Sequence, residues 1–387
     1  MKEIYLDNSA TTALSPSAKA AMTEAMERYG NPSSIHTAGN RAKELLENCR
    51  KDVALTFGVR RPEPGELIFT GSGSEGDNLA LIGTSFAKPR RAGGRIISTD
   101  SEHPGVENAL KFLESRGFEV VRVPTENGVL NLDFLRSALN EKTFLVSLMA
   151  VNNETGSAYP VAEAFSMVKA YRNDIVTHTD AVQGYLHLPL NVKNMNADLI
   201  TVSAHKIHGP KGVGALWVSA EARKRRDLSP VIFGGGQEAG FRSGTENLVG
   251  IAGFAAAAKE GFANLPSNIG KMKILRELAE NLLDGLPVRL NLPKGARAPH
   301  ILSVTVPGIR SETILHALSA RGIYISNGSA CSSHATVPSA ALTAFGLSPA
   351  DVGSTIRVSF SAENSEEDVR IFADALGEEI SRLVHIR

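Results

Sequence analysis

The stretch RIISTDSEHPGVENALKFLESRGFEVVRVP, residues 95–124, has two short β-rich runs on either side of an amphipathic segment. Apolar residues recur at helical spacing in GVENALKFLESR, whereas RIIST and EVVRV are rich in the β-branched residues that favour strands. A strand, a helix and a second strand in this order form the unit from which parallel sheets are built. The stretch therefore predicts an α/β fold.

The same alternation extends along much of the chain. Further β-rich runs occur at ELIFT, TFLVSLM, DIVTHTD, ADLITVSA and VGALWVS, which makes seven runs in all from residue 66. We therefore expect a mostly parallel seven-stranded sheet with helices on both faces. After a helical stretch near 246–286 the rhythm changes, and PHILSVTVP and TIRVSFS predict a smaller α+β domain. The predicted division is a large domain over 15–258 and a small domain formed by 1–14 together with 259–387.

Bulk composition narrows the classes of function. The content of 42% hydrophobic and 21% charged residues is typical of a globular protein. The 41 basic residues balance 41 acidic ones without a long basic run, which argues against a nucleic-acid or anionic-membrane partner. No segment approaches the roughly 20 apolar residues of a membrane span. The two distant cysteines, Cys49 and Cys331, fit a reducing compartment, so we expect a cytoplasmic protein.

Polar residues follow the predicted strands at the edge of the sheet where ligands bind in folds of this kind. The turn GSGSEG opens a helix after ELIFT and offers backbone N–H groups to an anion such as phosphate. A phosphorylated pyridine aldehyde would need a lysine amine, an acid for the ring nitrogen, an anion cradle and a flat group over the ring. These needs are met at successive strand ends by Lys206, Asp180, the pair Gly73 and Ser74, and His103.

The turn GSGSEG also permits a different interpretation. Residues 71–76 spell G-x-G-x-x-G, and the next strand ends on Asp100, close to the spacing of a dinucleotide-binding fingerprint. A nicotinamide-dependent oxidoreductase is therefore the alternative from another class of enzyme. It leaves Lys206 and Asp180 without a role, and it predicts a colourless protein until a dinucleotide is added.

Nine motifs spread along the chain resemble those of the cysteine desulfurases, which are class V, fold-type I pyridoxal phosphate enzymes of the kind that serve iron–sulfur cluster assembly. They are LDNSATT at 6–12, EGDNLA at 75–80, SEHPGV at 101–106, VNNETG at 151–156, HTDAVQ at 178–183, SAHKIHGPKGVGAL at 203–216, GGGQEAGFRSGTEN at 234–247, SNGSACSS at 326–333 and STIRVSFS at 354–361. The resemblance implies conversion of L-cysteine to L-alanine with transfer of sulfur to an acceptor protein. Another class V enzyme, such as a C–S lyase or a selenocysteine lyase, and a non-catalytic sulfur scaffold stay open.

The resemblance also implies which residues bind the cofactor, pyridoxal 5'-phosphate. Lys206 would bind it covalently and later move the substrate proton, while Asp180 would pair with the pyridine nitrogen. His103 would stack on the ring and shuttle protons, and Gln183 and Asn153 would hydrogen-bond the phenolic oxygen. The implied phosphate contacts are Gly73, Ser74, Ser203 and His205. Asp180 could instead be a helix N-cap, and either amide an ordinary buried side chain.

Three further residues have roles that the resemblance implies. Thr245 would reach the phosphate of a second subunit, which implies a homodimer. Arg357 would bind the substrate carboxylate together with Asn153, although a structural Asp or Glu could satisfy it too. Cys331, in the Gly/Ser-rich ISNGSACSSHATVP, would carry the persulfide, because a thiol that collects and delivers sulfur has to travel. The alternative is a small buried hydrophobe, the role expected of Cys49.

Two positions depart from the family pattern. The turn reads GSGSE where an Ala-Thr-Glu type of sequence is common, although Ser74 keeps a hydroxyl, and Ala239 stands where an arginine is frequent. No metal site is predicted, because His205 and His208 have no accompanying set of Cys or carboxylate ligands.

Overall fold

The computed structural model describes residues 3–190, 192–328 and 338–383, so the predicted sulfur carrier Cys331 lies outside the described residues. The strands are β1 Ile4–Tyr5, β2 Leu67–Thr70, β3 Arg95–Thr99, β4 Glu119–Val123, β5 Thr143–Ser147, β6 Ser157–Ala158, β7 Val176–Asp180, β8 Leu199–Ser203, β9 Gly214–Val218, β10 Arg289–Leu290, β11 Ala296–Arg297, β12 Ile301–Thr305, β13 Ile323–Tyr324, β14 Ser326–Asn327 and β15 Thr355–Ser359.

The α-helices enclose these strands. They are α1 Pro16–Met26, α2 Thr37–Thr56, α3 Gly73–Phe86, α4 Pro104–Ser115, α5 Leu132–Ala138, α6 Val161–Tyr171, α7 Val192–Met195, α8 Ala220–Arg225, α9 Leu248–Ala263, α10 Leu265–Leu283, α11 Ser311–Ser319, α12 Ala340–Ala344, α13 Pro349–Gly353 and α14 Glu366–Arg382. Among the described residues, no helix combines the length and the apolar character needed to cross a bilayer.

A seven-stranded sheet lies at the centre of the fold, in the order β2-β9-β8-β7-β5-β3-β4. Strand β9 runs antiparallel to both of its neighbours, and the remaining pairings are parallel. The predicted mostly parallel seven-stranded sheet is confirmed. Every residue of β5, β7, β8 and β9 is buried, as expected for strands covered on both faces.

Apolar side chains pack on both faces of this sheet. Ile96 and Ile97 are neighbours in β3 but belong to different clusters, because successive side chains of a strand point to opposite faces. Ile97 packs in the cluster that contains residues of α2, α6 and α9, whereas Ile96 packs in the cluster that contains residues of α3 and α4. Cys49 in α2 is 6% exposed, and burial raises the pKa of its thiol to about 11, which confirms the prediction of a buried cysteine.

A second body surrounds a four-stranded antiparallel sheet in the order β10-β12-β15-β14. Its apolar cluster combines residues of β12, β15, α10, α11 and α14 with Ile4 and Leu6 from the start of the chain. Strand β1 pairs in parallel with β13, which joins the first residues of the chain to this body. The boundaries of the predicted small domain, 1–14 and 259–387, stay a prediction.

A buried ion pair ties α2 to the edge of the large sheet. The guanidinium of Arg50 donates to both carboxylate oxygens of Glu238, at 2.7 and 2.8 Å. The backbone N–H of Phe69 in β2 donates to the same carboxylate at 2.8 Å, and Arg50 also donates to the Leu67 carbonyl at 2.8 Å. Ala239, the departure from the family pattern, is the exposed residue that follows this carboxylate, and nothing in the structure explains it.

We expect Glu238→Ala to lower the free energy of unfolding by about 3 kcal/mol or more, because it removes the carboxylate that pairs with a buried guanidinium and accepts from a strand N–H. Urea denaturation followed by circular dichroism measures this change. The control is Glu24→Ala, which removes an exposed ion pair with Arg28 and is expected to cost about 0.5 kcal/mol or less. Equal losses for the two variants would contradict the structural role of the buried pair.

Candidate active site

A cavity of about 320 Å³ opens where the carboxyl ends of β2, β3, β5, β7 and β8 meet. Ten of the predicted site residues line it: Gly73, Ser74, His103, Asn153, Asp180, Gln183, Ser203, His205, Lys206 and Arg357. Arg357 comes from β15 of the second body, so the cavity lies between the two sheets. Thr245 is exposed and does not line the cavity of its own chain.

Lys206 projects from a short 3-10 turn, Ala204–Lys206, that follows β8. Its Nζ donates to the carbonyl oxygens of Ser9 and Ala10, at 2.6 and 2.9 Å. These carbonyls belong to the motif LDNSATT, for which the sequence suggested no individual role. The N-terminal segment therefore fixes the position of the amine in the cavity.

Asp180 is the last residue of β7, and His103 is the residue directly before α4. One carboxylate oxygen of Asp180 accepts from the Val182 N–H at 2.9 Å, but a turn and not a helix follows Asp180, so the alternative role as a helix N-cap is wrong. Burial raises the pKa of Asp180, while His103 and Lys206 oppose this shift. His103 Nδ1 accepts from the Gly105 N–H at 3.0 Å, which places the ring proton on Nε2. Burial lowers the pKa of His103, so its ring is neutral.

The start of α3 forms a part of the cavity wall that suits a phosphate group. Gly73 and Ser74 begin α3, where backbone N–H groups have no intrahelical acceptor. A Cβ on Gly73 would lie 2.8 Å from Val182 Cγ2, so only glycine leaves this space open. Among the described residues, the buried hydroxyl of Ser203 has no hydrogen-bond partner, and a ligand oxygen would satisfy it. Together with Lys206, this donor set fits the phosphorylated pyridine aldehyde expected from the sequence.

His205 forms part of the same wall in a neutral state. Its Nδ1 lies 3.2 Å from Thr11 Oγ1, and burial, reinforced by the positive charge of Lys206, lowers its pKa to about 4. A neutral imidazole can donate only one hydrogen bond. His205 can therefore contribute a directed N–H to an anion but no net charge at neutral pH.

Arg357 is deeply buried, with 1% of its surface exposed. Its Nη1 donates to the Asn153 carbonyl and its Nη2 to Asp7 Oδ1, both at 2.9 Å. The structural carboxylate that the sequence left open as an alternative is therefore present, and it is Asp7. The Nε of Arg357 has no partner among the described residues. Binding of a substrate carboxylate by Arg357 stays a prediction.

The two predicted amides have different surroundings. Gln183 donates from Nε2 to the Ser9 carbonyl at 2.9 Å, and its Oε1 lies 3.3 Å from His300 Nε2. Asn153 contributes its backbone carbonyl to Arg357, and its side chain lines the cavity. The purely structural amide is the preceding residue, Asn152, which is fully buried and donates to the Ser101 carbonyl at 2.9 Å.

Two buried acids beside the cavity were not predicted. Glu102 accepts from Thr99 Oγ1 and from the Met149 N–H, at 2.8 and 3.0 Å, while its Oε2 has no partner among the described residues. Burial, with a contribution from Asp180, raises the pKa of Glu102 to about 8. Burial and Asp180 also raise the pKa of Asp77 well above its usual range. The charged forms of Glu102 and Asp77 are therefore disfavoured beside Asp180.

The dinucleotide interpretation of GSGSEG is wrong. The turn follows β2, which is the edge strand and pairs antiparallel with β9. In the sheet order, β9, β8, β7 and β5 separate β2 from β3, the next strand in sequence. A dinucleotide fingerprint needs a βαβ unit with parallel strands at the point where the strand order reverses.

Comparisons with known proteins agree with this geometry. The family model "Aminotransferase class-V" matches residues 4–372. A protein named "Cysteine desulfurase IscS" from Methanosarcina thermophila is 38% identical over 385 residues, which cover 99% of this chain and 93% of that relative. A solved structure named "NIFS-LIKE PROTEIN" superposes with a TM-score of 0.91 at 35% identity, covering 99% of this chain and 100% of its own. Another, "SspA in complex with cysteine", has a TM-score of 0.79 at 31% identity, with 94% and 100% covered.

We expect Ser203→Ala to weaken binding of pyridoxal phosphate about tenfold, because a hydrogen bond to a charged oxygen contributes roughly 1.5 kcal/mol. Titration of the ligand-free protein by absorbance measures this affinity. Thermal stability of the ligand-free variant should not change, since the hydroxyl has no partner there among the described residues. In the control Ser98→Ala, which removes a buried bond of 2.8 Å to the Ser147 carbonyl, stability should fall and affinity stay constant. Unchanged affinity in Ser203→Ala would remove this residue from the phosphate site.

Glu102 makes stability depend on pH in a defined direction. Its pKa in the folded protein, about 8, lies above the ordinary 4.5, so its stabilising contribution is present below pH 4.5 and is lost as pH rises through about 8. Across this window the free energy of unfolding of the wild type should fall relative to Glu102→Gln by about 1.4 kcal/mol per pH unit. Urea denaturation at several pH values tests this, and parallel profiles would contradict it.

Proposed function

Because this chain belongs to the class-V aminotransferase family and is a pyridoxal phosphate-dependent cysteine desulfurase, we propose that the lysine, the acids and the arginine of the cavity act on L-cysteine and that Cys331 receives its sulfur. One observation carries the assignment of residues. A lysine amine, a buried carboxylate, a helix N-terminus and a buried guanidinium meet in a single cavity of about 320 Å³, together with a buried hydroxyl that has no partner in the described part of the chain.

The side chains divide the chemistry around the cofactor. Bound pyridoxal phosphate supplies an aldehyde that reacts with amines and a ring that withdraws electrons from the bonds of the α-carbon. Lys206 would hold the cofactor and, once its amine is released, take the proton from the α-carbon. Asp180 would keep a proton on the ring nitrogen, since His103 and Lys206 favour its charged form. His103, neutral with its proton on Nε2, would lie over the ring and exchange protons with the substrate.

Arg357 would bind the carboxylate of L-cysteine. Its Nε has no partner among the described residues, and its bond to Asp7 joins it to a carboxylate whose pKa is raised by burial. Burial disfavours the charged form of Asp7, so the substrate carboxylate could replace it and bind the guanidinium through two parallel hydrogen bonds. The neighbouring Asn153 side chain would complete this end of the substrate site.

Sulfur leaves the substrate by transfer to a second thiol. L-Cysteine and the Cys331 thiol would give L-alanine and a Cys331 persulfide, so the sulfur atom moves, the carbon–sulfur bond breaks and a sulfur–sulfur bond forms. No external oxidant is required, because the β-carbon of the substrate is reduced, with a C–H bond in place of its C–S bond, as the transferred sulfur is oxidised. Delivery of this sulfur to an acceptor protein for iron–sulfur cluster or other cofactor synthesis would regenerate the thiol.

Thr245 supports a homodimer with shared sites. It is exposed and does not line the cavity of its own chain, so the phosphate contact that the family resemblance implies would be to a second subunit. A native mass near that of one 41.2 kDa chain would contradict this arrangement.

A cytoplasmic location remains a prediction from the scarcity of cysteine.

We expect Cys331→Ala to abolish the formation of L-alanine and sulfide from L-cysteine under reducing conditions, because the sulfur has no thiol to receive it. Chromatographic analysis of the products measures this loss. The matched control is Cys49→Ala, which removes the chain's other thiol from a buried position in α2 and should leave the products unchanged.

Two other outcomes would identify a different reaction. Pyruvate and ammonia that persist in Cys331→Ala would indicate a C–S lyase. Alanine formed from L-selenocysteine but not from L-cysteine would indicate a selenocysteine lyase, in which a travelling thiol is not needed.

A further inference from the structure

Two buried histidines lie behind the wall of the cavity. The rings of His187 and His300 stack with their centroids 3.9 Å apart and an angle of 17° between the planes. His300 is 1% exposed and His187 is 9% exposed, and neither lines the cavity. His187 follows the turn after β7, whereas His300 directly precedes β12. The stack therefore joins the two bodies of the fold behind Gln183.

The hydrogen bonds of Gln183 determine which way its amide faces. The carbonyl of Ser9 can only accept, so the group 2.9 Å from it is the amide nitrogen of Gln183. The amide oxygen then faces His300 Nε2 at 3.3 Å, and this nitrogen must carry the ring proton. The second hydrogen of the Gln183 nitrogen is used by neither bond. It is available to an acceptor atom in the cavity.

The surroundings keep His300 in this one protonation state. Burial lowers the pKa of His300 well below its usual range, and the charges of Arg357, Arg276 and Lys206 lower it further. Burial likewise lowers the pKa of His187 to about 3. A neutral imidazole carries one proton, and His300 Nδ1 has no partner among the described residues. The single N–H of His300 therefore points to Gln183.

We propose that His300, held by its stack on His187, is a positioning residue that fixes the Gln183 amide so that it presents an N–H, and not its carbonyl oxygen, to the cofactor ring. This inference rests on the proposed function, since it needs pyridoxal phosphate in the cavity. An N–H favours the deprotonated, negatively charged phenolic oxygen of the ring, whereas a carbonyl would repel it. His300 thereby influences the ionisation of a group that it does not touch.

Two substitutions test separately the contributions of the His300 N–H donor and of its ring stacking. His300→Phe keeps an aromatic ring against His187 but removes the donor, while His300→Gln restores a donor near the Nε2 position without the stack. We expect His300→Phe to weaken pyridoxal phosphate binding about threefold to tenfold, the range for one neutral hydrogen bond. The visible absorbance of the bound cofactor should titrate at a higher pH than in the wild type. His300→Gln should return both quantities towards the wild-type values.

Two absorbance experiments decide between the outcomes: titration of each ligand-free variant with pyridoxal phosphate, and a pH titration of the bound cofactor. Thermal melting of each ligand-free variant tests whether it is folded. Wild-type affinity and an unchanged pH profile in His300→Phe would overturn the inference while the proposed function stands. Equal shifts in both variants would also overturn it, since a donor restored near the Nε2 position would then recover neither quantity. A wild-type protein that takes up no pyridoxal phosphate would overturn the proposed function and the inference with it.

Discussion

The two hydrogen bonds from Lys206 to the carbonyls of Ser9 and Ala10 are the contact on which the arrangement of the site depends. The segment that carries these carbonyls also belongs to the second body. Ser359 in β15 donates its N–H to the Leu6 carbonyl at 2.7 Å, and Asn8 donates its N–H to the Ser359 carbonyl at 3.3 Å. The start of the chain therefore holds the reactive amine of one body while it is hydrogen-bonded to the sheet of the other.

Electrostatic balance explains why so many charged groups can be buried in one place. Lys206 and Arg357 bring positive charge, and Asp180 and Asp7 face them. Asp77 and Glu102 add two more carboxyl groups whose charged forms are disfavoured by burial and by Asp180. Their raised pKa values limit the negative charge of the cluster, because neighbouring carboxylates in a dry interior do not all ionise together. Among these acids, Asp180 is the one whose charged form His103 and Lys206 favour.

The parts of the site that sequence reasoning found are those encoded locally. Asp180 and Lys206 come at or directly after strands, and parallel strands bring their carboxyl ends to one edge, so their meeting follows from the strand pattern. Asp7 was missed although its motif was noted, because its partner Arg357 lies 350 residues away. Glu102 stands beside His103 in the sequence, but only its burial in the fold raises the pKa of its carboxyl group. The His187 and His300 pair has no motif at all.

Alternation of β-rich runs and amphipathic helices, together with nine family motifs, was enough to determine the class of fold, the cofactor and the reaction of this chain. These features are local, since each depends on residues within one turn or one strand. Tertiary structure alone decided the partner of Arg357, the carbonyls that hold Lys206 and the orientation of Gln183. Each of these is a contact between segments far apart in the chain, and its energy depends on distance and burial, which a linear sequence does not contain.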